Sequence, residues 1–130
     1  MNHQGSCLCG AIHFEVKQDL TTADACHCTQ CRKWSGHYLA SVDVKRNALN
    51  IHNDEQLAWY HSSKKVRRGF CKTCGSSLFF DPLDQQKHDW TSVALGAFDK
   101  PTQAKLNLHI FVAEKGDYYE LMDGVKQNQR

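Results

Sequence analysis

The chain has 130 residues, of which 41% are hydrophobic and 23% charged, and its formal net charge is +2. That length suits one domain with a core large enough to fold without crosslinks, here expected over residues 1–130. The composition excludes a disordered chain, and the near-balance of charge excludes strong electrostatic capture by nucleic acid or anionic membranes.

Alternation dominates the pattern along the chain. Ile12, Phe14 and Val16 fall on one side and His13 and Glu15 on the other, the period of a half-buried strand. Thr29 to Gly36 has helical or turn character. Leu57 to Tyr60, Val66 to Phe70, Ser76 to Phe80, Thr91 to Leu95 and Leu108 to Val112 read as further strands. Between them stand turn formers such as Asn53-Asp54, Gly75, Asp81-Pro82 and Asp99-Lys100-Pro101. The expected fold is mainly β, made of short strands with cysteines on the connecting loops.

No apolar run is as long as a membrane span, and the opening Met1-Asn2-His3-Gln4-Gly5-Ser6 lacks the blocks of a secretory signal. The expected location is therefore the reducing cytoplasm, which bears on the seven cysteines at 7, 9, 26, 28, 31, 71 and 74. Their number is odd, and closely spaced cysteines in a reducing compartment are more often metal ligands than disulfides. Zinc takes four ligands in a tetrahedron. Two partitions satisfy the spacing. Cys28 and Cys31 with Cys71 and Cys74 would make a zinc ribbon, leaving Cys7, Cys9 and Cys26 over. Alternatively Cys7, Cys9, Cys71 and Cys74 close one tetrahedron, and Cys26, Cys28 and Cys31 hold a second metal with a position open. Spacing alone does not choose.

The segments Gly5-Ser6-Cys7-Leu8-Cys9-Gly10, Cys26-His27-Cys28-Thr29-Gln30-Cys31-Arg32-Lys33, Phe70-Cys71-Lys72-Thr73-Cys74-Gly75 and His109-Ile110-Phe111-Val112-Ala113-Glu114 resemble, in order and spacing, the glutathione-dependent formaldehyde-activating enzyme family. The resemblance implies an Mss4-like β-tent of small coiled antiparallel sheets pinned by zinc. It implies the second partition: a structural zinc on Cys7, Cys9, Cys71 and Cys74, and a catalytic zinc on Cys26, Cys28 and Cys31. It also implies a carbon–sulfur lyase that joins or cleaves a thiol–aldehyde adduct, with glutathione or a similar small thiol as partner. The rival expectation is a non-catalytic zinc module that contacts protein or nucleic acid.

Other residues carry two readings each. Arg32 and Lys33 either meet the carboxylates of glutathione or form a solvated charged turn. His27, between two candidate ligands, is a fourth ligand, a proton shuttle or a surface histidine. The run Ser63-Lys64-Lys65-Val66-Arg67-Arg68 reads as a strand with its polar face in water, ahead of a nucleic-acid contact. Trp34, Tyr38, Trp59 and Trp90 read as core, and His109 as a half-buried strand residue.

Overall fold

A computed structural model describes residues 1–130. Strand β1 (Asn2–Ser6) runs into the first cysteine pair and β2 (His13–Lys17) runs out of it, the two pairing antiparallel. The expected alternation holds in β2, where Phe14 and Val16 are buried and His13 and Lys17 face water. Strand β3 (Thr22–Cys26) buries the small Ala23 and Ala25 and turns Asp24 and Cys26 to its other face. Helix α1 (Thr29–Ser35) follows at once and stops where Gly36 takes a left-handed φ of 88° and its N–H bonds the Arg32 carbonyl.

The remaining strands are β4 (Leu39–Lys45), β5 (Leu49–His52), β6 (Leu57–His61), β7 (Val66–Cys71), β8 (Ser77–Pro82), β9 (Trp90–Ala94), β10 (Lys105–Ile110) and β11 (Lys126–Gln127). They form a three-stranded sheet in the order β1-β2-β5 and an eight-stranded sheet in the order β11-β10-β3-β4-β9-β8-β7-β6. Mainly β is therefore correct, and each expected strand is present within a few residues. Most pairings are antiparallel, as expected, but β10 runs parallel to both β3 and β11. It also starts earlier than the sequence pattern suggests and ends at Ile110, because Phe111 turns left-handed (φ 54°) into a 3₁₀ turn over Val112–Glu114. Strands β1, β3, β4, β5 and β11 were absent from the sequence reading.

The core lies between the two sheets. It gathers Phe14 and Val16 of the smaller sheet, with Ile12 just before β2, against Val42, Val44, Leu78, Phe79 and Val93 of the larger. Phe14 is the pin: its ring meets Phe79 and Phe98 edge-on, each at 5.5 Å between centroids. Burying such a ring contributes about 1.5–3 kcal/mol from area alone. Gly5 lies directly beneath that ring, and a Cβ there would meet Phe14 and approach the Ala97 carbonyl oxygen to 2.6 Å. At the far side Asp81, 3% exposed, holds two arginines, Arg46 and Arg67. No helix is long and apolar enough to cross a membrane.

Candidate metal centres

The hairpin turn between β1 and β2 presents Cys7 and Cys9, and the turn after β7 presents Cys71 and Cys74. Their four Sγ atoms all lie within 4.8 Å of one another. The Cys7–Cys9 and Cys9–Cys71 sulfurs are 3.6 and 3.8 Å apart. A zinc–sulfur bond of about 2.3 Å puts the edges of a tetrahedron at about 3.8 Å, so the donor set fits that ion. Backbone N–H groups already point at the sulfurs: Ile12 donates to Cys7 at 3.3 Å, and Thr73 and Cys74 donate to Cys71 at 3.4 and 3.5 Å. Gly75 makes the second turn possible with a φ of 79°. The Ser76 hydroxyl and backbone N–H hold the Cys74 thiol down to about 5, a thiolate at neutral pH.

The second group is Cys26, Cys28 and Cys31, also mutually within 4.8 Å. Cys26 ends β3, Cys28 caps α1 and accepts the Cys31 N–H at 3.3 Å, and Cys31 lies buried in the first turn of the helix. The segment is fixed from outside. His27 donates its N–H to the Ile110 carbonyl at 3.0 Å, and Glu114 accepts from both the N–H and the hydroxyl of Thr29 at 2.9 Å. Thiol hydrogen bonds from Cys26 and Cys31 hold Cys28 far below the usual thiol range, and sharing with Cys28 pushes Cys26 far above it. No histidine, carboxylate or fourth cysteine joins this trio.

His27 is the first correction to the sequence reading. It is fully buried, so it is not a surface histidine, and both its ring nitrogens are engaged within the protein. In extended chain successive side chains alternate, so Cys26 and Cys28 face one way and His27 the other. Its Nδ1 meets the Tyr119 hydroxyl at 2.5 Å and its Nε2 meets His109 Nδ1 at 2.9 Å. His109 Nε2 in turn meets Asp123 at 2.8 Å. The carboxylate accepts only, so His109 Nε2–H donates to Asp123; with both rings neutral the chain continues with His27 Nε2–H donating to His109 and Tyr119 O–H to His27. Burial, followed by the neighbouring His109, lowers His27 to about 4, so its ring is neutral at pH 7. His109 is itself 1% exposed, buried rather than half-buried.

A cavity of 310 Å³ opens over the trio. Leu39, Val66, Phe80, Trp90, Ile110 and Phe111 supply apolar wall, and Asp24, Asp43 and Arg68 are charged groups that border it. Asp24 shares a face of β3 with Cys26, and burial together with Asp43 raises its carboxyl. A neighbouring cleft is bordered by Gln30, Lys33, Trp34, Tyr60, Ser62 and Arg68, so the two hollows meet at Gln30 and Arg68. Lys33 thus stands beside the site. Arg32, one position earlier on α1, borders neither hollow; its buried Nε has no hydrogen-bond partner. Trp34 and Trp90 line these hollows rather than the core, Trp59 packs on the core, and Tyr38 lies against His27 at 4.8 Å between centroids.

Arg68 is the residue the sequence reading missed. Assigned there to a solvated strand face, it is 3% exposed. Arg67 follows the other side of β7 to Asp81 and the face of Trp59, and the strand's alternation sends Arg68 to the trio, where its Nη1 lies 3.5 Å from Cys31 Sγ. Two adjacent arginines on one strand were the available signal, because strand period two places only one of them outside.

The family model described as "Glutathione-dependent formaldehyde-activating enzyme" matches residues 2–114. The chain belongs to this family. An uncharacterized lyase of Schizosaccharomyces pombe is 34% identical over 79 residues, covering 60% of this chain and 56% of the yeast protein. The chain thus matches little more than half the length of that relative. A putative glutathione-dependent formaldehyde-activating enzyme of Halomonas elongata is 27% identical over 128 residues, 91% of this chain and 80% of its own. A crystal structure of a Rhodobacter sphaeroides protein superposes with a TM-score of 0.63 at 18% identity, over 80% of this chain and 99% of that one, and so shares the fold. The two cysteine groups are sites able to bind metal ions in a chain of the formaldehyde-activating family.

Proposed function

We propose that the chain is a zinc-dependent carbon–sulfur lyase that forms or cleaves the adduct of glutathione, or a similar small thiol, with an aldehyde. The single observation that carries this reading is the trio of Cys26, Cys28 and Cys31, converging on a 310 Å³ cavity with no fourth protein donor. A closed four-sulfur group stands apart from it, on Cys7, Cys9, Cys71 and Cys74. That contrast matches the difference between structural zinc sites, which are sealed, and catalytic ones, which keep a position for substrate.

In this reading Cys7, Cys9, Cys71 and Cys74 hold a structural zinc, and Cys26, Cys28 and Cys31 hold a catalytic one. Zinc on the trio would stabilise a thiolate at neutral pH and polarise an aldehyde carbonyl. The protein supplies the rest. The apolar wall of Leu39, Val66, Phe80 and Ile110 keeps water away from the reacting carbon. Lys33, which borders the adjoining cleft, would meet a glutathione carboxylate, and Arg32, which borders neither hollow, would not. In the forward direction the thiol sulfur bonds to the carbonyl carbon and its proton ends on the carbonyl oxygen. The reverse breaks the same carbon–sulfur bond.

Exchange between glutathione, formaldehyde and S-hydroxymethylglutathione, followed by NMR with the fully zinc-loaded protein, tests the proposal. Wild type should accelerate the exchange and Cys28→Ser should not. A wild-type protein with two zincs and no acceleration, with this and with longer aldehydes, would favour a binding module instead.

A further inference from the structure

Arg68 has no carboxylate. The arginines around it pair with Asp81, and none of the ion pairs in the protein includes Arg68. Its hydrogen bonds go to neutral oxygens, from Nε to Ser62 Oγ at 3.2 Å and from Nη2 to Gln30 Oε1 at 3.3 Å, and to the sulfur of Cys31. Its carbon centre sits 5.3 Å from the Trp34 ring centroid and 5.1 Å from that of Phe80. A guanidinium is a permanent cation, and burying one without an anion is strongly unfavourable. The one group of potential negative charge within hydrogen-bond distance of its donors is Cys31 Sγ, which is a thiolate when the trio holds a metal.

We infer that Arg68 is the built-in counter-charge of the trio, and that it selects an anion as the fourth ligand there. The inference rests on the proposed metal site and adds the charge type of its ligand. Three thiolates and a divalent ion sum to −1, a sphere that would repel a further anion. Arg68 against Cys31 offsets that −1 and is the one cation lining the cavity, which Asp24 and Asp43 also border, so the entry of a thiolate depends on it. Lysine would supply the charge but not the fork that simultaneously holds Gln30, Ser62 and the sulfur.

Cobalt-loaded protein provides the test, because the visible spectrum of cobalt at the trio reports its ligands. Thiocyanate serves as the anionic probe, imidazole as the neutral one and glutathione as the candidate substrate. Arg68→Gln should keep two metals per chain and take up thiocyanate and glutathione at least about tenfold more weakly, with imidazole uptake unchanged. Arg68→Lys should recover part of the anion affinity. Equal thiocyanate uptake in wild type and Arg68→Gln, no uptake in wild type, or an equal loss for thiocyanate and imidazole each overturns the inference. If Arg68→Gln loses the trio metal, Arg68→Lys decides: retained metal with anion uptake supports the counter-charge, and metal loss there too marks a packing role. Wild type that binds thiocyanate but not glutathione leaves this inference standing and removes the proposed substrate.

Discussion

His27 Nε2 and His109 Nδ1 share a hydrogen bond of 2.9 Å across the parallel junction of β3 and β10, 82 residues apart in sequence. This bond ties the Cys26–Cys28 segment to the strand that carries the far end of the chain. Removing His109 would leave a buried ring nitrogen of His27 without its hydrogen-bond partner, which costs about 1–3 kcal/mol. His109→Ala is expected to lower the unfolding free energy measured in urea by that amount and to speed metal release from the trio, with the four-cysteine group unaffected. Release followed by a colorimetric chelator checks it. Unchanged release from both sites would mean that the histidine pair does not position the trio.

The outer end of the same chain sets a pH dependence. The His109 hydrogen bond and then the Val125 N–H hold the Asp123 carboxyl below its usual value of 3.8. A depressed carboxyl binds fewer protons folded than unfolded, so its contribution is complete above the unfolded value and disappears as pH falls through the folded one. Asp123→Asn should therefore be less stable than wild type at pH 6, and the gap should close as pH drops below about 4. The gap between the two proteins is the measurement, since acid protonates the metal-binding thiolates of both alike. A gap that stays constant from pH 6 to pH 3 would show that the carboxylate charge is not involved.

Much of the fold and site could be read from residues because the signals are local. Alternation in Phe14 and Val16 marks β2, and clustered cysteines mark the two candidate metal sites. What was missed depends on partners remote in sequence. β3 is short and carries Ala23 and Ala25 on its buried face, too small to signal a strand. Its pairing with β10 joins segments some 80 residues apart, so nothing near either strand announces it. Arg68 looked solvated because charge normally is, and the sulfur it contacts, Cys31, lies 37 positions away. Tyr119 and Asp123 become intelligible only once His27 and His109 are seen to face inward.

Phe14 and Gly5 make the joint between the sheets testable. Phe14→Ala removes a ring packed on Phe79 and Phe98 and should cost about 3–5 kcal/mol. Gly5→Ala pushes a methyl group against the same ring and the Ala97 carbonyl, and overpacking of this kind costs about 1–3 kcal/mol. Because both changes act on one ring, the double variant should lose less than the two single losses added together. Strict additivity in denaturant unfolding would show that Gly5 is needed for another reason.

The two cysteine groups should part company when metal is withdrawn. The four-sulfur group ties the β1–β2 turn to the turn after β7, far apart in sequence. Structural zinc in such a site is worth about 10–16 kcal/mol, as much as or more than the 5–15 kcal/mol of a whole domain. Cys74→Ser should therefore abolish the folded state, while Cys28→Ser should keep it and bind one metal fewer. In the wild type a chelator should act in two phases. The trio, with three protein donors and a cavity above it, should empty first without change in far-ultraviolet circular dichroism. The closed group should empty later, and the β signal should collapse with it. A single phase in which both metals and the fold are lost together would show that the trio, too, is part of the staple.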